Sequence, residues 1–248
     1  GEDLKDCEVI VITAGIPRKP GMSRDDLLLT NAKIMQAVLE DIKKYAPNSK
    51  IIIVSNPLDA MVYAALKILK FPREQVIGMA GILDSARMSH FICEKLGYGA
   101  GQIESSVMGG HGDAMVPLVN YSTVAGVSLP ELLSKEDIED IVTKTKNGGL
   151  QIVKLLETGS AYYAPAHATS LMVEAILHNT RKIYPCSVML DGEYDCKNVV
   201  SGVPVMLGSN GIEKIIELKL NEEQKELFAN SVASVQELID TLDEKFFI

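Results

Sequence analysis

No stretch of the 248 residues is apolar for long enough to cross a membrane. The longest apolar runs, such as Val9–Ile12 and Ile51–Val54, fall far short of the roughly 20 residues that a spanning helix needs. Excess positive charge is missing too: the formal net charge of −9 argues against a general nucleic-acid or anionic-membrane surface. A small anionic substrate stays open, because a few local arginines set the sign of a pocket. The four cysteines, Cys7, Cys93, Cys186 and Cys196, have no CxxC spacing and sit in core-like contexts, which reads as reduced, buried thiols. With no charged-then-apolar leader at the start, a cytoplasmic setting is expected. His111 and Asp113 have no further ligands at helical or loop spacing, so no metal site is expected.

What remains is an ordinary globular composition, 47% hydrophobic and 23% charged, long enough for one large domain or two lobes. Cys7–Thr13 reads as a buried strand, Asp25–Tyr45 as a helix and Ile51–Val54 as a second strand. Ala60–Leu69 (helix), Val76–Met79 (strand) and Asp84–Leu96 (helix) continue the alternation that marks a parallel α/β sheet. After Gly101 the pattern changes. Ser105–Met108 and Val116–Ser122 read as strands, and Lys135–Leu156 and Ala166–Asn179 as helices broken by Gly159-Ser160 and by Pro165. Ile183–Leu190, Val199–Val200 and Val203–Leu207 read as an antiparallel meander, and Asn221 as the N-cap of a last helix. The pattern divides the chain into a parallel part, residues 1–81, and a mixed α+β part, residues 82–248.

Ligands of open α/β sheets bind beyond the carboxyl ends of the strands. Three loops end there: Thr13–Gly21, Ser55–Asp59 and Gly81–Arg87, carrying Arg18, Asn56, Asp84 and Arg87, with Arg24 just past the first. Gly109-Gly110-His111-Gly112-Asp113 adds a histidine, the side chain whose ordinary pKa lies closest to neutrality, in a bare backbone that lets ligands approach. Asp84 and Arg87 share a helix face, which suits either a surface ion pair or a division of labour. In the second reading Asp84 orients His111 and Arg87 is free to clamp a carboxylate.

Thr13–Arg24, Ser55-Asn56-Pro57-Leu58-Asp59, Leu83-Asp84-Ser85-Ala86-Arg87 and Gly109–Asp113 occur in this order, followed by Gly159–Pro165 and Gly202-Val203-Pro204. Together they resemble the lactate/malate dehydrogenase family, on the side of its bacterial lactate-dehydrogenase-like malate dehydrogenases. The resemblance implies a Rossmann-type parallel sheet followed by a mixed α+β catalytic domain, with NAD as cofactor and malate or oxaloacetate as substrate. It implies His111 as proton acceptor and donor with Asp84 as its partner. Arg87 would hold the substrate's C1 carboxylate, Arg24 polarise the reacting carbonyl, and Arg18 pair with the second carboxylate. Asn56 would touch both substrate and nicotinamide, and Thr13, Ala14, Gly15, Asn31 and Val54 would line the cofactor. A homodimer or homotetramer is expected on the same ground.

The family's opening strand, G-x-G-x-x-G turn and acidic ribose-binding residue are not in these 248 residues. Gly97-Tyr98-Gly99-Ala100-Gly101 has the wrong spacing and follows a helix. The expectation is an N-terminally truncated Rossmann sheet, with roughly 60–70 residues preceding Gly1 in a full-length relative. Two alternatives are a lactate or broad 2-hydroxyacid dehydrogenase, and a cofactor-free scaffold that keeps the fold and subunit contacts.

Overall fold

The computed structural model describes residues 1–17, 21–157 and 159–248, and of Ala100 the main chain. The β-branched runs become the parallel strands β1 (Val9–Ile12), β2 (Lys50–Ile53) and β3 (Val76–Gly78). The helices that follow them are α1 (Arg24–Tyr45), α2 (Leu58–Leu69) and α3 (Gly81–Leu96). A capping box starts α1: Ser23 Oγ accepts from the Asp26 N–H, and the Asp26 carboxylate accepts from the Ser23 N–H, both at 3.0 Å. Its apolar stripe, Leu28, Met35, Leu39 and Ile42, is wholly buried against α2, whereas α3 stops at Gly97 in the left-handed conformation that only glycine adopts cheaply.

The middle of the chain is made of short pieces. β4 (Ile103–Glu104), β5 (Val107–Met108), β6 (Val116–Pro117), β7 (Thr123–Val124) and β8 (Val127–Ser128) form a three-stranded sheet, β4-β7-β8, and a β5-β6 pair. The strand expected over Val116–Ser122 therefore ends at Pro117. Beyond it Val119–Tyr121 turns as a 3-10 helix, and Ser122 Oγ donates to the Leu118 carbonyl. After α4 (Leu129–Leu132) come α5 (Lys135–Leu156) and α6 (Tyr163–Leu177). Pro165 does not break α6 but lies in its first turn, where a missing N–H costs nothing.

The meander is β9 (Lys182–Asp191), β10 (Lys197–Gly208) and β11 (Gly211–Ile215), closed by α7 (Glu222–Lys245). It does not form a sheet of its own. β9 pairs antiparallel with β3 through Gly78 and Ser187, giving one six-stranded sheet in the order β1-β2-β3-β9-β10-β11. Gly78 permits that junction, since a Cβ there would stand 2.8 Å from Ser187 Cβ. Helices α1, α2 and α7 cover one face of the sheet, and α6 packs on the other. A third apolar cluster, around Met88, Ile92 and Ile141, joins α3 to α5 and the small sheet. Among the described residues no helix is long and apolar enough to cross a membrane.

Candidate active site

Two turns of α3 carry the charged centre. Asp84 sits in the first turn, where the helix dipole favours a carboxylate, and Arg87 lies one turn on. The Asp84 carboxylate is 1% exposed and holds two partners at once. Its Oδ1 accepts from Arg87 Nη1 at 3.0 Å and its Oδ2 from His111 Nδ1 at 2.8 Å. The two readings of Asp84 are thus one arrangement, and Arg87 is not left free. What Arg87 keeps for a ligand is its Nε, buried without a protein partner among the described residues.

Because a carboxylate only accepts, the proton on Nδ1 belongs to the Asp84 bond and Nε2 is the nitrogen left for exchange. Burial pushes the His111 imidazolium toward losing its proton. The charge and hydrogen bond of Asp84, followed by the charge of Asp59, outweigh burial and hold the pKa above its ordinary value.

The loop that presents His111 is tied down at three consecutive amides. Gly109 N–H donates to the Gly202 carbonyl of β10, Gly110 N–H to Ser231 Oγ of α7 and His111 N–H to Asp59 Oδ2 of α2, each at 2.8 Å. The glycines serve this docking. A Cβ at Gly109 would stand 2.5 Å from Ser231 Oγ, and one at Gly110 would stand 2.7 Å from Val235 Cγ2. Gly109 also has φ +83, and only Gly112 of the three faces open space. The bare backbone that reads as room for a ligand is thus mostly room for α7. α3 reaches the same loop from below, where Ser85 Oγ accepts from the Val107 N–H and Ser105 Oγ donates to the Ser85 carbonyl.

A cleft of about 1090 Å³ opens beyond the carboxyl ends of β1 and β2. Thr13, Gly15, Val54 and Asn56 line it on the strand side, and Arg87 and His111 line it on the other. Asn31 lines it as a brace: its Oδ1 accepts from the Ile16 N–H, and its Nδ2 donates to the carbonyls of Ile16 and Asn56, so the loops after β1 and β2 move together. Ala14 is not in the lining, and its carbonyl accepts from Ser55 Oγ. Arg24 opens α1, exposed and outside the lining, so the structure does not bring it to His111. Arg18 falls outside the described residues.

Sequence reading missed Asp59, Ser187, Ser231 and the pair Gly148-Gly149. The last had a signal, because two glycines inside a helix each cost up to about 1 kcal/mol relative to alanine. Their cause is Arg87: a Cβ at Gly148 would lie 3.3 Å from its Cδ and one at Gly149 3.4 Å from its Nη2. The serines carried no signal, being common residues whose partners lie more than 120 positions away.

Two family models cover the chain: the NAD-binding domain of lactate/malate dehydrogenase over residues 1–78, and its alpha/beta C-terminal domain over residues 82–246. A malate dehydrogenase of Aliarcobacter butzleri is 63% identical over 246 residues, 99% of this chain and 78% of the relative. Among solved structures, the apo malate dehydrogenase of Picrophilus torridus superposes with a TM-score of 0.96 at 44% identity, covering 99% of this chain and 77% of that one. A lactate dehydrogenase of Eimeria maxima, solved with NADH and oxamate, gives 0.93 at 44% identity, covering 98% and 76%.

Proposed function

As the chain belongs to the lactate/malate dehydrogenase family, we propose that it catalyses the NAD-dependent, reversible oxidation of (S)-malate to oxaloacetate. The observation that carries this reading is the buried Asp84 carboxylate, bonded on one oxygen to Arg87 and on the other to His111 at the wall of a single cleft. That set holds a carboxylate and moves a proton beside it, which is what a 2-hydroxy acid requires.

The nicotinamide end of NAD fits the strand side of the cleft. Gly15 is bare there and Val11 is a half-open apolar surface on β1, so Thr13, Gly15, Val54 and Asn56 are the residues that would hold it. The bound cofactor supplies the hydride acceptor for malate and the hydride donor for oxaloacetate. His111 Nε2 takes the hydroxyl proton in oxidation and returns it in reduction, and Asp84 keeps the imidazolium in place between the two. Arg87 receives the C1 carboxylate through its unpartnered Nε and the edge turned from Asp84. Arg24 and Arg18 are assigned to the reacting carbonyl and the second carboxylate. In the full reading Asn31 and Ala14 shape the cofactor wall rather than touch the ring. Residues 1–81 then act as the nucleotide-binding part and 82–248 as the catalytic part, in a cytoplasmic homodimer or homotetramer.

A lactate or broad 2-hydroxyacid dehydrogenase is the second reading, favoured by the Eimeria neighbour but set behind by the higher identity to the Aliarcobacter malate dehydrogenase. Reduction of oxaloacetate and of pyruvate by NADH, measured side by side, separates them. Charged hydrogen bonds of roughly 1.5–3 kcal/mol predict a preference for oxaloacetate of about tenfold or more. Equal or reversed preference assigns the broader activity, and a chain that neither turns over nor binds NADH is the scaffold.

A further inference from the structure

Asp59 has no part in the chemistry assigned above, yet it is the other carboxylate at His111. It stands in the first turn of α2 and is 4% exposed. Each oxygen accepts one hydrogen bond: Oδ2 from the His111 N–H at 2.8 Å and Oδ1 from Ser187 Oγ at 2.6 Å. Ser187 is itself wholly buried on β9, opposite Gly78, so the carboxylate is fixed from one strand and one loop. A buried carboxylate is costly where a neutral group would serve. A loop that needed only to be held in place could use an amide or a hydroxyl, as Gly110 does with Ser231.

We infer that Asp59 is a positioning residue of the proton-transfer step, holding the His111 main chain and, by its charge, favouring the protonated imidazole. His111 is thereby placed between two carboxylates, Asp84 on the ring and Asp59 on its own amide. The other charged groups around it are Arg87 on α3, which opposes the imidazolium, and Lys146 on α5 and Asp113 of its own loop, which line the same cleft. β9 and α7 face the loop with the hydroxyls of Ser187 and Ser231, which do not titrate. Burial, joined by the charge of Asp84, holds the Asp59 carboxyl above its ordinary value, and the bonds from Ser187 and the His111 N–H, with the His111 charge, oppose that rise and favour the charged form. Ser187 therefore helps to keep the charge that acts on His111.

The inference rests on the reading of His111 as proton carrier, and its test is separable from turnover. The chain has four histidines, so their imidazole titrations are resolvable by NMR, and His111→Asn identifies the signal of His111. Asp59→Asn retains an oxygen for the His111 N–H and a donor toward Ser187 while removing the charge. The expected result is a His111 pKa lower by roughly half a pH unit or more, and oxaloacetate reduction that falls away at correspondingly lower pH. Ser187→Ala, which leaves both residues in place, is expected to shift the titration in the same direction by less. It carries the test if Asp59→Asn does not fold. A His111 titration unmoved in the variants that fold, or moved upward, overturns the inference. If the wild-type chain turned over no oxaloacetate while the shift appeared, the functional reading would fail and the role of Asp59 toward His111 would stand.

Discussion

The buried floor that lies behind His111, beneath the cleft lining, holds Asp84, Asp59 and Ser187, which are 1%, 4% and 0% exposed, whereas Leu150 and Tyr162 on the rim of the cleft are 53% and 59% exposed. The floor is polar and buried, and its groups are tied to β9, β10, α2, α3 and α7. Leu150, Val153 and Tyr162 make the rim apolar and open, and Arg24 lies outside it. Buried polar groups are costly unless bonded, and the His111 ring, the Ser187 hydroxyl and the three loop amides each donate to a fixed acceptor, while Arg87 Nε is left without one among the described residues. The rim has no such constraint, and recognition by exposed side chains is left to adjust around a substrate. On the proposed reading, proton chemistry belongs to the core of this molecule.

The strongest way to break that contrast is to remove the floor's proton carrier. His111→Asn is expected to lower kcat by roughly 10²–10⁴-fold while NADH affinity, followed by fluorescence, is retained. A loss smaller than tenfold would take His111 out of the chemistry. Asp84→Asn follows: it leaves both Arg87 and His111 with a neutral partner, and a kcat loss on the order of 10²-fold with a lowered pH midpoint is expected. Overpacking tests the floor's rigidity. Gly110→Ala pushes a methyl group into Val235 and should destabilise the fold by about 1–3 kcal/mol, read from urea unfolding.

Gly149→Ala, where floor meets rim, sharpens the contrast. It should add up to about 1 kcal/mol of helix stability and yet raise KM for oxaloacetate several-fold, because the methyl group occupies space beside the Arg87 guanidinium. A variant that gains stability with KM unchanged would show that the glycine is not there for Arg87. In the last turn of α5, outside the cleft lining, Leu155→Ser at an 84% exposed position should change stability by no more than about 0.5 kcal/mol, and activity not at all.

The pH dependence of the floor has a definite sign. The pKa of His111 is raised in the fold, so its contribution to stability is complete below the unfolded value of about 6.5 and fades as pH rises through the higher folded value. Oxaloacetate reduction, which needs imidazolium, declines over that same window. Malate oxidation, which needs the neutral ring, increases across it. The pH profiles of kcat/KM in both directions check this: midpoints below pH 6.5 would contradict the raised pKa.

The parallel half was legible because its signals are local. β-branched runs gave β1 to β3, and Asp84 and Arg87 announced a shared helix face by spacing alone. The pairing of Asp84 with His111 came from resemblance, not from spacing, since 27 positions separate them. What could not be read was long-range geometry. β10 was expected in two pieces, at Val199–Val200 and Val203–Leu207, because Gly202 and Pro204 interrupt the pattern. It runs unbroken because Gly202 lies against Gly109 so closely that no side chain fits between them. The antiparallel meander was legible, but its junction with the parallel strands was not, because nothing local in Gly78 or Ser187 says that they meet. Asp59 went unremarked for the same reason: in sequence it is an acidic residue at a helix start, and only the fold carries it to the amide of His111.

The three tethers on residues 109–111 also govern how that loop comes apart. A loop fixed at one end swings about a hinge, but this one is held by β10, α7 and α2, each far from it in the chain. Its departure requires three unrelated contacts to fail together, so it opens with the body of the molecule and not before it. The amide hydrogens of Gly109, Gly110 and His111 then exchange with solvent as one block, as slowly as those of the core strands. The protein's capacity to move a proton is as durable as its fold.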